Sequence, residues 1–108
     1  VLFADGARIA YDQAAHHLIA TLPEGGIADV TAPGGITVNA DGGVTVNASN
    51  GVAINGNTTI TGTLSVSETI HADQDITSDA DVKAGSISLA SHKHSGVQSG
   101  SAQSGGPV

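Results

Sequence analysis

The sequence predicts an all-β fold, a homotrimeric intertwined triangular β-helix (β-prism) with an N-terminal β-hairpin collar, and three observations predict it. Aliphatic residues recur every eight and then every six positions through most of the 108 residues. β-Branched types are abundant, with Val, Ile and Thr adding up to 29 residues, which separates the chain from disordered sequences. Large apolar pieces are nonetheless scarce. Ala supplies 16 residues, Leu, Ile, Val and Phe together number 25, and there is one Phe, one Tyr and no Trp, Met or Cys. A lone chain of this size buries little of its surface, so the composition favours strands that take their core from neighbouring copies.

Residues 1–25 are read as the collar. From 7 to 22 the pattern is a hairpin: Ile9 and Tyr11 share one strand face, Leu18, Ala20 and Leu22 share a face of the next, and Asp12-Gln13-Ala14-Ala15 makes the turn. Pro23, Glu24, Gly25 and Gly26 then break the unit from the rest of the chain. Two strands alone are marginal in water, so the hairpin is expected to pack on a preceding domain or on sister chains. The chain opens without Met in an apolar run, Val1-Leu2-Phe3, and reads as a fragment lacking its N-terminal part.

Residues 26–90 are read as a shaft. Gly-Gly-Ile-Thr-Val-Asn-Ala-Asp at 34–41 is followed by Gly-Gly-Val-Thr-Val-Asn-Ala-Ser at 42–49 and Asn-Gly-Val-Ala-Ile-Asn-Gly-Asn at 50–57. Ile36, Val44, Val52 and Ile60 fall eight apart, and Val38, Val46 and Ile54 run parallel to them. After Ile54 the spacing tightens to six, with Ile60, then Leu64, Ile70, Ile76 and Val82, before a final pair, Ile87 and Leu89. Alternation within a unit puts the aliphatics on one face and Thr or Asn on the other, while Gly-Gly or Asn-Gly supplies the bend. Asn39, Asn47 and Asn55 recur with the repeat and are assigned turn or ladder roles. So short a period describes a narrow solenoid whose strands pair between layers rather than along hairpins. One chain would enclose almost nothing, whereas three around a threefold axis donate their aliphatics to a shared core and hide each other's strand edges. About nine layers at ~4.8 Å each make a stiff rod on the order of 40 Å long.

Residues 91–108 are read as an apex. Gly and Ser dominate, but Ser91-His92-Lys93-His94 stands at its start. On an extended segment residues i and i+2 point the same way, so His92 and His94 can face the axis while Lys93 faces solvent. One chain then offers two imidazoles, and three offer six, enough for an octahedral cage around one divalent transition metal. Zinc's fourfold preference and copper's tetragonal one suit that cage poorly, which leaves iron or nickel. A filled coordination sphere has no place for substrate, so the metal would be structural, locking thin chain ends together.

The other polar features carry less. His16 and His17 are adjacent and are expected on opposite faces of a strand; His71 is placed on a shaft face. Asp73, Asp75, Asp79 and Asp81 alternate like a calcium loop but lack its central Gly and closing Glu, so they read as a solvated acidic face. Three basic residues against ten acidic ones give a net charge of −7, which argues against nucleic acid as a partner. No apolar run approaches the ~18 residues of a membrane-spanning helix. There is no Cys, no Gly-x-Ser-x-Gly elbow and no phosphate-binding glycine loop with Lys, and the chain is expected to be non-enzymatic.

Taken together, Asp5-Gly6-Ala7-Arg8-Ile9-Ala10-Tyr11-Asp12, the Gly-Gly-Ile-Thr-Val-Asn-Ala repeats, Thr-Ile-Thr-Gly-Thr-Leu at 59–64, Val82-Lys83-Ala84-Gly85-Ser86-Ile87-Ser88-Leu89 and Ser91-His92-Lys93-His94 resemble the phage baseplate assembly protein V family, the central tail spikes of contractile-tailed phages. The resemblance covers essentially the whole chain. It implies a homotrimer with one iron ion at the apex, held by His92 and His94 of each copy, and leaves room for a further calcium ion or anion on the axis. It also implies a preceding oligonucleotide/oligosaccharide-binding-type barrel attached to the hub of the tail tube and a place at the distal tip of the virion's tail baseplate. The implied role is mechanical, the piercing of the host outer membrane when the sheath contracts. A Type VI secretion spike would share this architecture. A tail-fibre or adhesin shaft would share the trimeric shaft but call for an exposed aromatic or loop-rich receptor surface, for which one Tyr and one Phe near the start are weak support, and a calcium-bound β-roll would call for Gly-Gly-x-Gly-x-Asp repeats, which are absent.

Overall fold

In the computed structural model, which describes residues 1–98 and 100–103, the chain is all-β, with four short strands and no helix among the described residues. It divides into two units, Val1–Ala53 and Ile54–Val108. The division falls at Ile54, where the aliphatic spacing shortens from eight to six.

In the first unit, β1 (Arg8–Asp12) pairs antiparallel with β2 (His17–Thr21). The register sets Ile9 opposite Ala20 and Tyr11 opposite Leu18, so the apolar face read from the alternation is real. The turn lies one residue later than the sequence suggests. Residues 13–16 form it, and His16, at φ 51°, is in the turn rather than on a strand face. Only His17 is in the strand, opposite Asp12. Asp12 causes the shift: its Oδ1 accepts from the N–H groups of Ala14 (3.0 Å) and Ala15 (3.3 Å), a side-chain-capped turn that starts at the last strand residue. Residues 1–3 add a third antiparallel segment. Ile9 N–H donates to the Val1 carbonyl (2.7 Å), Phe3 N–H to that of Ala7 (2.8 Å), and the Val1 amino group to the Ile9 carbonyl. Ala10 and Ile19 are half-buried, whereas Ile9, Tyr11 and Leu18 are left exposed.

The eight-residue repeat is visible as three identical turns. Gly35, Gly43 and Gly51 donate their N–H to the carbonyls of Ala32, Ala40 and Ala48 at 3.0, 3.0 and 2.9 Å. Each is the fourth residue of its turn and has positive φ, 112°, 100° and 92°. The glycines before them, Gly34 and Gly42, do not have positive φ, and Asn50 fills the same place in the third turn. This is type I geometry, with Pro33 at the second position and Gly at the last. In the second unit, bends recur six residues apart at 61–62, 67–68, 73–74 and 79–80, and Leu64, Ile70, Ile76 and Val82 each take the second place of the segment that follows a bend.

Backbone pairing is nearly absent from these repeats. Among the described residues, the three glycine turns are the only backbone–backbone hydrogen bonds made between 27 and 80, where a self-contained domain makes about one hydrogen bond per residue, mostly between backbone groups. Burial agrees. Among the described residues none is buried. Equivalent positions are uncovered to the same degree: Ile36, Val44 and Val52 are 64, 66 and 64% exposed, and Val38, Val46 and Ile54 are 69, 69 and 68% exposed. The repeat is regular in structure as well as in sequence, and its aliphatic face has no partner among the described residues.

The aliphatic count predicts Ile87 and Leu89 as a last shaft segment. Here the structure differs. β3 (Lys83–Ala84) and β4 (Ile87–Ser88) pair with each other, and Leu89 N–H donates to the Val82 carbonyl at 2.8 Å. Gly85, at φ 61°, is the first central residue of a two-residue loop and Ser86 has no positive φ, the type II′ geometry that lets two strands double back.

Candidate metal centre

The hairpin 82–89 positions the histidine segment. Asp81, at its base, accepts through Oδ1 from the N–H groups of Val82 (2.8 Å) and Ala90 (3.1 Å), so one carboxylate spans both ends of the hairpin. The Ser88 hydroxyl, followed by the Ala90 N–H, holds the Asp81 carboxyl below its ordinary value of 3.8. Ser78 Oγ accepts from Ala80 N–H and donates to the Asp81 carbonyl, both at 3.2 Å, fixing the bend on the other side.

Ser88 carries the chain onward. Its Oγ accepts from Ser91 N–H and from Ser91 Oγ, both at 2.9 Å. Its carbonyl accepts from His92 N–H at 3.1 Å, closing a single helical turn. The same carbonyl lies 2.8 Å from His92 Nδ1. A carbonyl can only accept, so Nδ1 carries a proton, and in the neutral ring the lone pair is then on Nε2. The His92 and His94 rings meet edge to face, with centroids 5.1 Å apart and planes at 73°.

His92 and His94 are thus brought together, as the i, i+2 spacing suggests. Two imidazoles are all that one chain supplies: among the described residues no group of three or more His, Asp or Glu could hold an ion. The pair suits a metal in donor type: two neutral imidazoles are common ligands of divalent transition metals, and here their rings are neighbours in one chain. Ser99 and residues 104–108 of the apex segment lie outside the described residues.

Of the other candidates, His71 Nε2 is 2.7 Å from Asp73 Oδ1, an ion pair when the ring is protonated, with both side chains almost fully in solvent. Asp73 and Asp79 begin successive bends, and Asp75 and Asp81 open the segments after them, so the acidic alternation follows the six-residue repeat rather than a calcium loop. Sequence reasoning places Asp81 in a solvated acidic face, whereas its Oδ1 accepts from Val82 and Ala90 N–H, and it does not single out Ser88. The available signal is Asp81's place immediately before a Val-Lys-Ala-Gly-Ser-Ile hairpin pattern.

These features define a β-rich chain in which the hairpin 82–89 is followed by a histidine pair, His92 and His94. Residues 86–108 match the GpV Apex motif family, about a fifth of the chain, and the matched stretch holds Ser88, His92 and His94. No curated protein and no solved structure matches the chain. The family match supports a structural role of the phage tail-spike kind, with the matched end as its tip.

Proposed function

We propose that the chain forms the shaft and tip of a homotrimeric phage tail spike, a rigid needle at the distal end of the baseplate that pierces the host outer membrane during infection. The observation that carries the reading is the apex-motif match falling on the residues that hold the histidine pair. The uncovered aliphatic face supports the trimer. Each such side chain contributes roughly 1.5–3 kcal/mol once buried, and three copies can bury Ile36, Val38, Val44, Val46, Val52, Ile54, Ile60, Leu64, Ile70, Ile76 and Val82 against one another and supply strand partners to the unpaired backbone of 27–80. The paired Ile87 and Leu89 would close the end of that core.

At the tip, His92 and His94 of three copies would hold one iron ion, which when bound ties the three ends together with no open coordination position. The residues of the chain do the rest: Ser88 orients His92, and Lys93 keeps the exterior charged. The proposed partners are the hub and tube of the tail and, in mechanical contact, the membrane. No catalytic step is required, because force delivered along a narrow rod opens the bilayer.

Metal analysis of the purified chain tests the tip. One transition-metal ion per three chains is expected. A His92→Ala, His94→Ala double variant should lose the metal and fray at its end while keeping the shaft, because the aliphatic repeat is independent of the site. A wild-type protein without stoichiometric metal contradicts the metal-held tip, and global unfolding of the double variant contradicts the division of labour.

A further inference from the structure

We propose that Asp81 and Ser88 are the positioning residues of the histidine site: they form a bracket, complete within one chain, that fixes the tautomer and direction of His92 and leaves Nε2 as its ligating atom. The proposal rests on the metal-held tip described above and adds to it the residues that prepare the ligand.

The bracket is a continuous set of contacts. Asp81 Oδ1 holds Val82 N–H on one side of the hairpin and Ala90 N–H on the other, so the positions of β3 and β4 are referred to a single carboxylate. Ser88, the last residue of β4, presents its hydroxyl to Ser91 and its carbonyl to both N–H and Nδ1 of His92. The ring is therefore held at two points, through its backbone and through Nδ1, and cannot turn about χ1 without losing the Nδ1 bond. Metal-binding histidines commonly have their second nitrogen anchored in this way, and loss of the anchor costs ~10–100-fold in metal affinity. His71 is held at one point only, by Asp73 Oδ1 at 2.7 Å from its Nε2, in solvent. The acidic residue nearest to His92 in function is thus eleven positions away in sequence and acts through a hairpin.

Three versions of the full chain test this: wild type, Asp81→Ala, and Asp81→Asn, whose amide oxygen can still accept from both N–H groups. In metal-free protein, ¹⁵N-resolved NMR of His92 should report the Nδ1-protonated tautomer in wild type and Asp81→Asn, and its loss in Asp81→Ala. After loading with nickel(II) as the probe, chelator extraction should run ~10–100-fold faster from Asp81→Ala than from wild type, with Asp81→Asn close to wild type. A wild-type His92 protonated on Nε2 overturns the bracket whatever the metal does. So does an Asp81→Ala variant with the wild-type tautomer and extraction rate. If the tautomer pattern is as stated but no version takes up nickel, the metal-held tip is overturned and the bracket is supported.

Discussion

The segment 1–21 and the repeats 27–80 contrast in how each satisfies its backbone. The first pairs with itself, β1 lying between β2 and residues 1–3, and Asp12 fixes its turn. The repeats are equally rich in β-branched residues but close only three glycine turns, and their aliphatics stand in solvent at matched exposures. A strand-forming sequence with regular turns and no partner among the described residues is what the proposed assembly of identical copies would complete.

Substitution separates the two regions. Val46→Asp, which puts a carboxylate into the aliphatic face of every copy, should abolish assembly, since burying an uncompensated charge costs several kcal/mol per site; size-exclusion chromatography reads the loss. Tyr11→Asp should weaken assembly much less, because β1 and β2 already pair with each other, and equal effects would erase the contrast. Next in size is Gly43→Ala. At φ 100° a side chain is strained, and the cost should be about 1–2 kcal/mol per chain, seen as a lowered melting temperature. Gly42→Ala should be tolerated, because its φ is ordinary and a Cβ there meets nothing within 4 Å in the chain.

Acid gives a smaller, local effect. The folded Asp81 carboxyl titrates below 3.8, so its contribution to the hairpin is fully present above that value and is lost as pH falls through the lower folded pKa. Amide exchange at Val82 and Ala90 should accelerate, relative to neighbouring amides, only in that range, and Asp81→Asn should remove the effect. The smallest change is expected from His71→Ala. The His71–Asp73 contact lies in solvent, and its removal should shift stability by no more than ~0.5 kcal/mol, within the error of a denaturant titration.

Much of this is legible in the sequence because period and turn chemistry reinforce one another. Ile9, Tyr11, Leu18 and Ala20 alternate as a hairpin must, and Gly35, Gly43 and Gly51 mark turns by their spacing alone. The second hairpin is masked because Ile87 and Leu89 look like one more pair of shaft aliphatics. They fall five and seven residues after Val82, and that break in the six-residue spacing, with Gly85-Ser86 as a two-residue loop compatible with type II′, distinguishes a reversal from another layer. The His92–His94 pair is legible because it needs only i, i+2 spacing. Asp81 is not, since its role depends on a hairpin that brings residue 90 back to residue 81, and a carboxylate in an acidic run reads as solvated.

On this account the repeats acquire a core only when triplicated. Multi-angle light scattering of the purified chain tests that most directly. A single species at three times the 10.5 kDa chain mass, unchanged on dilution, is the predicted result, and a folded, cooperatively melting species at 10.5 kDa would contradict it.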